Sequence, residues 1–345
     1  MAYTDPAIAP AATLTPTLRD YQLKDNIWAP QGAVFLSGTQ ALVRLMLMQR
    51  QHDERQQWNT RGFISGYRGS PLGMVDQVIW KQGDQFKDAG IEFVPAINEE
   101  LGATQVLGTQ RVESDPERTV DGVFGLWYGK GPGVDRAGDA LKHGNAYGSS
   151  PHGGVLVVAG DDHGCVSSSM PHQSDQVFQS WHMPIVAPAD VSELVGFGLY
   201  GYALSRYSGA WVGMTALSEV VESSATVDLD AITAQAAHWK TPDEVQAMTG
   251  HQPPPDGLHY RWPDLPSLRI ESRLQDKLDA VAAFARVNRI DRTVIESAHA
   301  HIGIVTAGNR CGTDANTLSR NAAATLWSEG ANGSAPAAWS ADELQ

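Results

Sequence analysis

Cysteine is nearly missing from this chain: Cys165 and Cys311 are the two among 345 residues. Neither forms a Cys-x-x-Cys pair or lies at ligand spacing from a histidine, so the sequence cannot hold an iron–sulfur cluster by itself. So low a count also fits a reducing, cytoplasmic compartment. Positive charge is scarce too, with 25 Lys and Arg against 39 Asp and Glu and a net charge of −14. That balance argues against nucleic acid, which needs a basic face. No apolar run approaches the roughly 20 residues of a membrane span. The Ala/Pro/Thr-rich residues 1–16 have neither the basic region nor the apolar core of a signal peptide. What is present is a 42% hydrophobic, 19% charged chain, able to bury a sizeable core in about two domains.

Glycine is plentiful, and the 34 glycines cluster between Gly62 and Gly213. Clustering of that kind marks tight strand-to-helix turns or close backbone approach to a ligand. Apolar spacing predicts helices over residues 32–52, 75–87, 101–113, 135–145 and 191–207. Short apolar runs predict strands over 63–65, 91–97, 120–128, 154–160, 184–187 and 211–215. Strands alternating with helices define an α/β class with a parallel sheet and helices on both faces. The expected organisation is a flexible arm (1–24), an α/β domain (25–235), and a linker with a Pro-rich stretch and a helix (236–298). Residues 299–345 would begin a second α/β domain, with a strand at 301–308 and then no sustained apolar period. One strand cannot bury itself, so the sequence reads as a truncated or frame-shifted product.

Candidate chemistry falls on the carboxyl edge of the predicted strands, where open parallel sheets bind ligands. Three loops lie there, over residues 66–73, 129–133 and 161–169, together with Asn98, Glu99 and Glu100 at a helix start. Asn98 suits the helix cap. First-turn acids commonly do no more than complement the helix dipole, so these residues alone leave Glu99 open between that role and a catalytic one. The Gly129-Lys130-Gly131-Pro132-Gly133 run lacks the Lys-Ser/Thr pair of a phosphate loop. It serves equally as a structural turn or as a turn presenting Lys130 to an acid group. Asp161, Asp162, His163 and His172 do not have the spacing of a known zinc site, and loop residues of these types are more often hydrogen-bonded turn formers. No metal site is expected. Cys165 beside His163 or His172 could be drawn as nucleophile and base, but an inert cysteine is the better reading.

Several unusual loops occur together and in order: Gly66-Tyr67-Arg68-Gly69-Ser70-Pro71-Leu72-Gly73, Asn98-Glu99-Glu100, Asp121-Gly122-Val123-Phe124-Gly125-Leu126-Trp127-Tyr128-Gly129-Lys130-Gly131-Pro132-Gly133-Val134-Asp135-Arg136 and Gly160-Asp161-Asp162-His163-Gly164-Cys165. In these the chain, over about residues 25–308, resembles the N-terminal part of indolepyruvate ferredoxin oxidoreductases, in their long fused bacterial form. The resemblance implies the pyrimidine-binding domain of a thiamine-diphosphate enzyme that oxidatively decarboxylates 2-oxo acids to acyl-CoA with ferredoxin as acceptor. It implies that Glu99 hydrogen-bonds the aminopyrimidine ring nitrogen, a task that needs a carboxyl group to hold or share a proton. Gly66, Tyr67, Arg68, Gly69, Ser70, Pro71, Asn98, Lys130 and Gly131 would border the cofactor; from their place on the edge loops, Arg68 and His163 are the residues expected to meet the substrate, Arg68 at the substrate's carboxylate. Gly102 and Ala103 would let the cofactor or a partner domain approach. Magnesium and the diphosphate would be held by a domain absent from this chain, a 4Fe-4S cluster would lie elsewhere in the full enzyme, and a dimer or partner chain is expected. Two other readings stand beside it: a subunit of another 2-oxo acid:ferredoxin oxidoreductase, or a non-catalytic binding or assembly module.

Overall fold

A computed structural model describes residues 21–165, 170–261, 267–293, 303–308 and 325–327. Most of the expected N-terminal arm, most of the stretch after residue 299, and Cys311 therefore lie outside the described residues. The strands are β1 (Ala33–Ser37), β2 (Thr60–Gly66), β3 (Ile91–Phe93), β4 (Gly122–Lys130), β5 (Val155–Asp161), β6 (Ile185–Val186), β7 (Val212–Leu217), β8 (Ser224–Asp228), β9 (Gly303–Val305) and β10 (Thr325–Trp327). Six of them form one sheet in the order β3-β2-β4-β5-β7-β6, parallel throughout. β1 pairs with β8, and β9 with β10, as separate antiparallel ribbons.

Helices cover both faces of the sheet. In chain order they are α1 (Asp25–Trp28), α2 (Gly38–Arg55), α3 (Val75–Trp80), α4 (Asp84–Asp88), α5 (Glu99–Thr109), α6 (Gly131–Arg136), α7 (Gly138–Tyr147), α8 (Asp175–Ser180), α9 (Val191–Ser208), α10 (Ser218–Val221), α11 (Leu229–Ala237), α12 (Pro242–Thr249) and α13 (Arg269–Val287). Every residue of β5 is buried. Its side chains alternate between two cores, as the two-residue strand period dictates. Leu156 and Val158 join Leu45, Phe124, Tyr202 and Met214 under α2 and α9. Val155, Val157 and Ala159 join Val106, Trp127, Leu141 and Trp211 under α5 and α7. α13 lies against α9 and α7, placing Phe284 in the first of these cores.

Three element boundaries differ from the apolar pattern for identifiable reasons. Residues 33–37 are a strand rather than the start of a helix: Val34 and Leu36 are buried while Phe35 between them is exposed. The helix then starts at a capping box, in which Ser37 Oγ accepts from Gln40 N (3.2 Å) and Gln40 Oε1 accepts from Ser37 N (2.9 Å). The helix expected over 75–87 is broken into α3 and α4 at Gly83, whose φ of 59° no ordinary helical residue adopts. The glycine run after β4 is not a loop. The strand continues through Lys130, and Gly131 opens α6.

Two partly buried histidines make stability depend on pH. His259 Nε2 lies 2.6 Å from the Arg206 carbonyl, so it must donate there. Burial pushes its pKa below the ordinary 6.5, and burial does the same to His52. Between the lowered value and 6.5 the unfolded chain binds more protons than the native one. This stabilisation is therefore complete above pH 6.5 and is lost as pH falls through the folded-state value. Urea unfolding at pH 7.5 and pH 5 should show the loss, and His259→Asn should flatten it; an unchanged slope in the variant would refute the assignment.

Candidate functional site at the carboxyl edge of the sheet

The chain passes from β2 to β3 on one side, then returns across β2 to pair β4 on the other. Such a reversal of strand order opens a crevice outside the carboxyl ends of the strands, the usual ligand position in open α/β sheets. A cleft of about 520 Å3 lies there, lined by Tyr67, Ile97, Asn98, Glu99, Pro132 and Arg136. Its size is within the roughly 300–1,000 Å3 ordinary for ligand sites. Tyr67 follows β2, residues 97–99 follow β3, and Pro132 and Arg136 belong to the helix after β4.

Glu99 is the first residue of α5 and is 8% exposed. Asn98 fixes the helix start, its side-chain oxygen accepting from Leu101 N at 2.9 Å. The indole Nε1 of buried Trp127 donates to the Glu99 carbonyl at 2.9 Å, which ties that turn to β4. Behind the side chain stands Gly133. A Cβ built on it would lie 2.6 Å from Glu99 Cγ and 2.9 Å from Oε1. In front stands Arg136, whose Nε is 3.6 Å from Glu99 Oε2. Gly133 and Arg136 are three residues apart, so one face of α6 supplies both. The pocket is therefore not uniformly apolar: Tyr67, Ile97 and Pro132 face a carboxylate that has a guanidinium beside it.

Of the residues singled out from sequence, the structure brings Tyr67, Asn98 and Glu99 together in the cleft. The others do not line it. Gly66 lies against the Tyr128 carbonyl, where a side chain would collide. Gly69 faces the Lys130 side chain, a Cβ there lying 2.9 Å from Lys130 Cδ, so Lys130 covers the 66–73 loop. The Ser70–Pro71 peptide is cis, and Pro71 packs at Gly160. Arg68 is exposed and does not line the cleft. Gly131 sits under the His172 ring. His163 lies in the turn after β5, also away from the cleft lining. Gly102 packs on Gly66 and Ala96, and Ala103 is in the core, so both let α5 approach the sheet rather than leaving room for a ligand.

Asp161 and His172, on either side of the turn after β5, are both engaged by neighbours. Asp161, 1% exposed, accepts from Ser174 N (2.8 Å) and Ser174 Oγ (2.7 Å). Burial pushes its pKa up, against those hydrogen bonds and the nearby His172 and His163. His172 Nε2 is 2.9 Å from Asp135 Oδ2, and its Nδ1 is 3.7 Å from Asp161 Oδ1. Among the described residues, no three His, Cys, Asp or Glu side chains converge so as to hold a metal ion. On the β2 side, the Tyr128 hydroxyl donates to buried Asp76, anchoring α3 to the end of β4.

The fold is shared with a known oxidoreductase. The 2-oxoglutarate:ferredoxin oxidoreductase from Magnetococcus marinus, solved with 2-oxoglutarate, coenzyme A and succinyl-CoA bound, is similar at a TM-score of 0.50 and 14% identity. The likeness covers 81% of this chain and 47% of that one, so this chain spans about half the length of that enzyme's chain. At that identity the likeness establishes the architecture, a parallel α/β sheet flanked by helices. No protein-family model and no curated protein matches the sequence.

Proposed function

We propose that this chain supplies the aminopyrimidine half of a thiamine-diphosphate site in a 2-oxo acid:ferredoxin oxidoreductase that acts on indolepyruvate or related aryl pyruvates. Buried Glu99, presented by a capped helix start at the reversal point of the sheet, carries this reading. The site suits a flat nitrogen heterocycle: Tyr67, Ile97 and Pro132 provide apolar walls, and Glu99 provides a carboxylate to hold or share a proton at a ring nitrogen. When bound, the cofactor supplies the electron sink for decarboxylation. This chain's part is to orient and protonate. Asn98 and Trp127 fix the backbone of Glu99, and Gly133 leaves its carboxylate room.

The diphosphate and its Mg2+ are held, on this proposal, by another domain or a partner chain, and the same holds for the 4Fe-4S cluster, coenzyme A and ferredoxin. Ile97, 83% exposed, and Leu101, 45% exposed, lie where that partner or a second copy would cover the cleft. Purified chain is expected to show no turnover of indolepyruvate with coenzyme A, thiamine diphosphate, Mg2+ and an artificial electron acceptor. Adding the diphosphate-binding partner should produce it. Robust turnover by the chain alone would overturn the division of labour; a lack of turnover in the complete mixture would overturn the assignment.

A further inference from the structure

We infer that Arg136 is the resident partner of the Glu99 carboxylate and must be displaced by an incoming ring nitrogen, making it a positioning residue that gates the cleft. The inference rests on the reading of the cleft as an aminopyrimidine site. Its geometry is direct. Arg136 ends α6 and lines the cleft, its side chain is 58% exposed, and its Nε lies 3.6 Å from Glu99 Oε2, whose side chain is only 11% exposed. A guanidinium offers N–H donors to a carboxylate, as does an amino-substituted ring bearing a protonated nitrogen. Both therefore compete at Oε2, the oxygen that Arg136 approaches.

Confinement makes the competition exclusive. Gly133 stands close behind the side chain, a Cβ built there lying 2.6 Å from Glu99 Cγ, and the Glu99 backbone is fixed by its helix and by Trp127. The side chain thus has little room to turn toward Gly133, and a ligand entering the cleft meets it on the side where Arg136 stands. The long, half-solvated Arg136 side chain is the part free to move. An ion pair this exposed is weak. That weakness suits a gate, because the arginine holds the carboxylate in register without sealing the cleft.

Titrating the full chain with 4-amino-5-hydroxymethyl-2-methylpyrimidine, at a pH low enough to protonate its ring nitrogen and followed by NMR chemical shifts, tests the inference. Arg136→Met keeps the volume and removes the charge. It should bind the probe about two- to fivefold more tightly than wild type, as expected for loss of one exposed ion pair. In a Glu99→Gln background the same substitution should leave affinity unchanged, a coupling that a merely structural role for Arg136 would not produce. Equal or weaker binding by Arg136→Met, with the wild type still binding through Glu99, would overturn the gate and leave the site reading standing. Arg136→Met tightening binding equally in the Glu99→Gln background would also overturn the gate. No binding to wild type or Arg136→Met would overturn the gate together with the site.

Discussion

Glu99→Gln in the complete, cofactor-loaded enzyme is expected to lower kcat by about 10²–10⁴-fold, the usual contribution of a positioned acid–base group. Glutamine matches the shape of glutamate and can still accept a hydrogen bond, but it cannot give or take the proton. The fold should barely notice. Trp127 bonds the backbone carbonyl of residue 99, and Asn98 caps the helix through Leu101 N, so neither contact uses the carboxylate. What the variant loses structurally is the ion pair to Arg136, an exposed interaction of the class worth up to about 1 kcal/mol. Thermal unfolding of the variant should therefore stay close to wild type while turnover collapses. Less than about a tenfold fall in kcat would remove Glu99 from the chemistry, since a general acid or base contributes more than that.

The opposite result, lost stability with an intact site, is expected at Asp53. Its carboxylate is fully buried and accepts four hydrogen bonds: Arg206 Nη1 (2.6 Å) and Nη2 (2.8 Å), Thr60 Oγ1 (2.6 Å) and Gln49 Nε2 (2.8 Å). These contacts tie α2, β2 and α9 together at the amino end of the sheet, away from the cleft. Asp53→Ala leaves the largely desolvated Arg206 guanidinium, its side chain 9% exposed, without a counter-charge and with only the Gly153 carbonyl and the Trp58 ring as partners, at a cost of about 3 kcal/mol or more. At about 2–4 °C per kcal/mol for a domain of this size, the melting temperature should drop by about 10 °C. Replacing both partners with apolar residues of similar volume should cost much less, because no stranded charge remains. Calorimetric melting of the single and double variants checks this, and a fall in melting temperature below about 3 °C for Asp53→Ala would mean the pair is dispensable.

The parallel sheet and its strand-to-helix alternation were readable from the sequence because β5, β4 and β7 are buried on both faces and so appear as continuous apolar runs. The helix start at Glu99 was readable for a local reason: Asn98 precedes two acids and a small apolar run. β1 was not. Its Val34 and Leu36 also fit the helical spacing of the α2 residues behind them, and the ribbon exists only because β8 arrives after the rest of the sheet. The capping pair Ser37 and Gln40 was the one sequence signal of the true boundary. Arg136 was missed for a different reason. Its place beside Glu99 is set by a helix whose start sequence alone displayed as a glycine turn. The i, i+3 spacing of Gly133 and Arg136 becomes informative only once Gly131 is known to open that helix. The substrate roles expected of Arg68 and His163 were assigned by loop membership. Loop membership fixes the edge of the sheet but not which side chains face the cleft.

Fully parallel pairing also sets the hazards of this chain's synthesis. No two neighbours in the central sheet are joined by a tight turn, so each pairing must first close a long loop before contact offsets the entropy lost. β5 is the extreme case. Its Val-Leu-Val-Val-Ala run needs β4 before it and β7 after it, and Leu156 meets its β7 partner only at Val212. During the interval in which β5 has left the ribosome and β7 has not, a flat, uncharged apolar strand has one edge and much of both faces uncovered. Such a strand is an aggregation hazard. The residues that make the best core of the finished protein are the ones most in need of protection while it is being made.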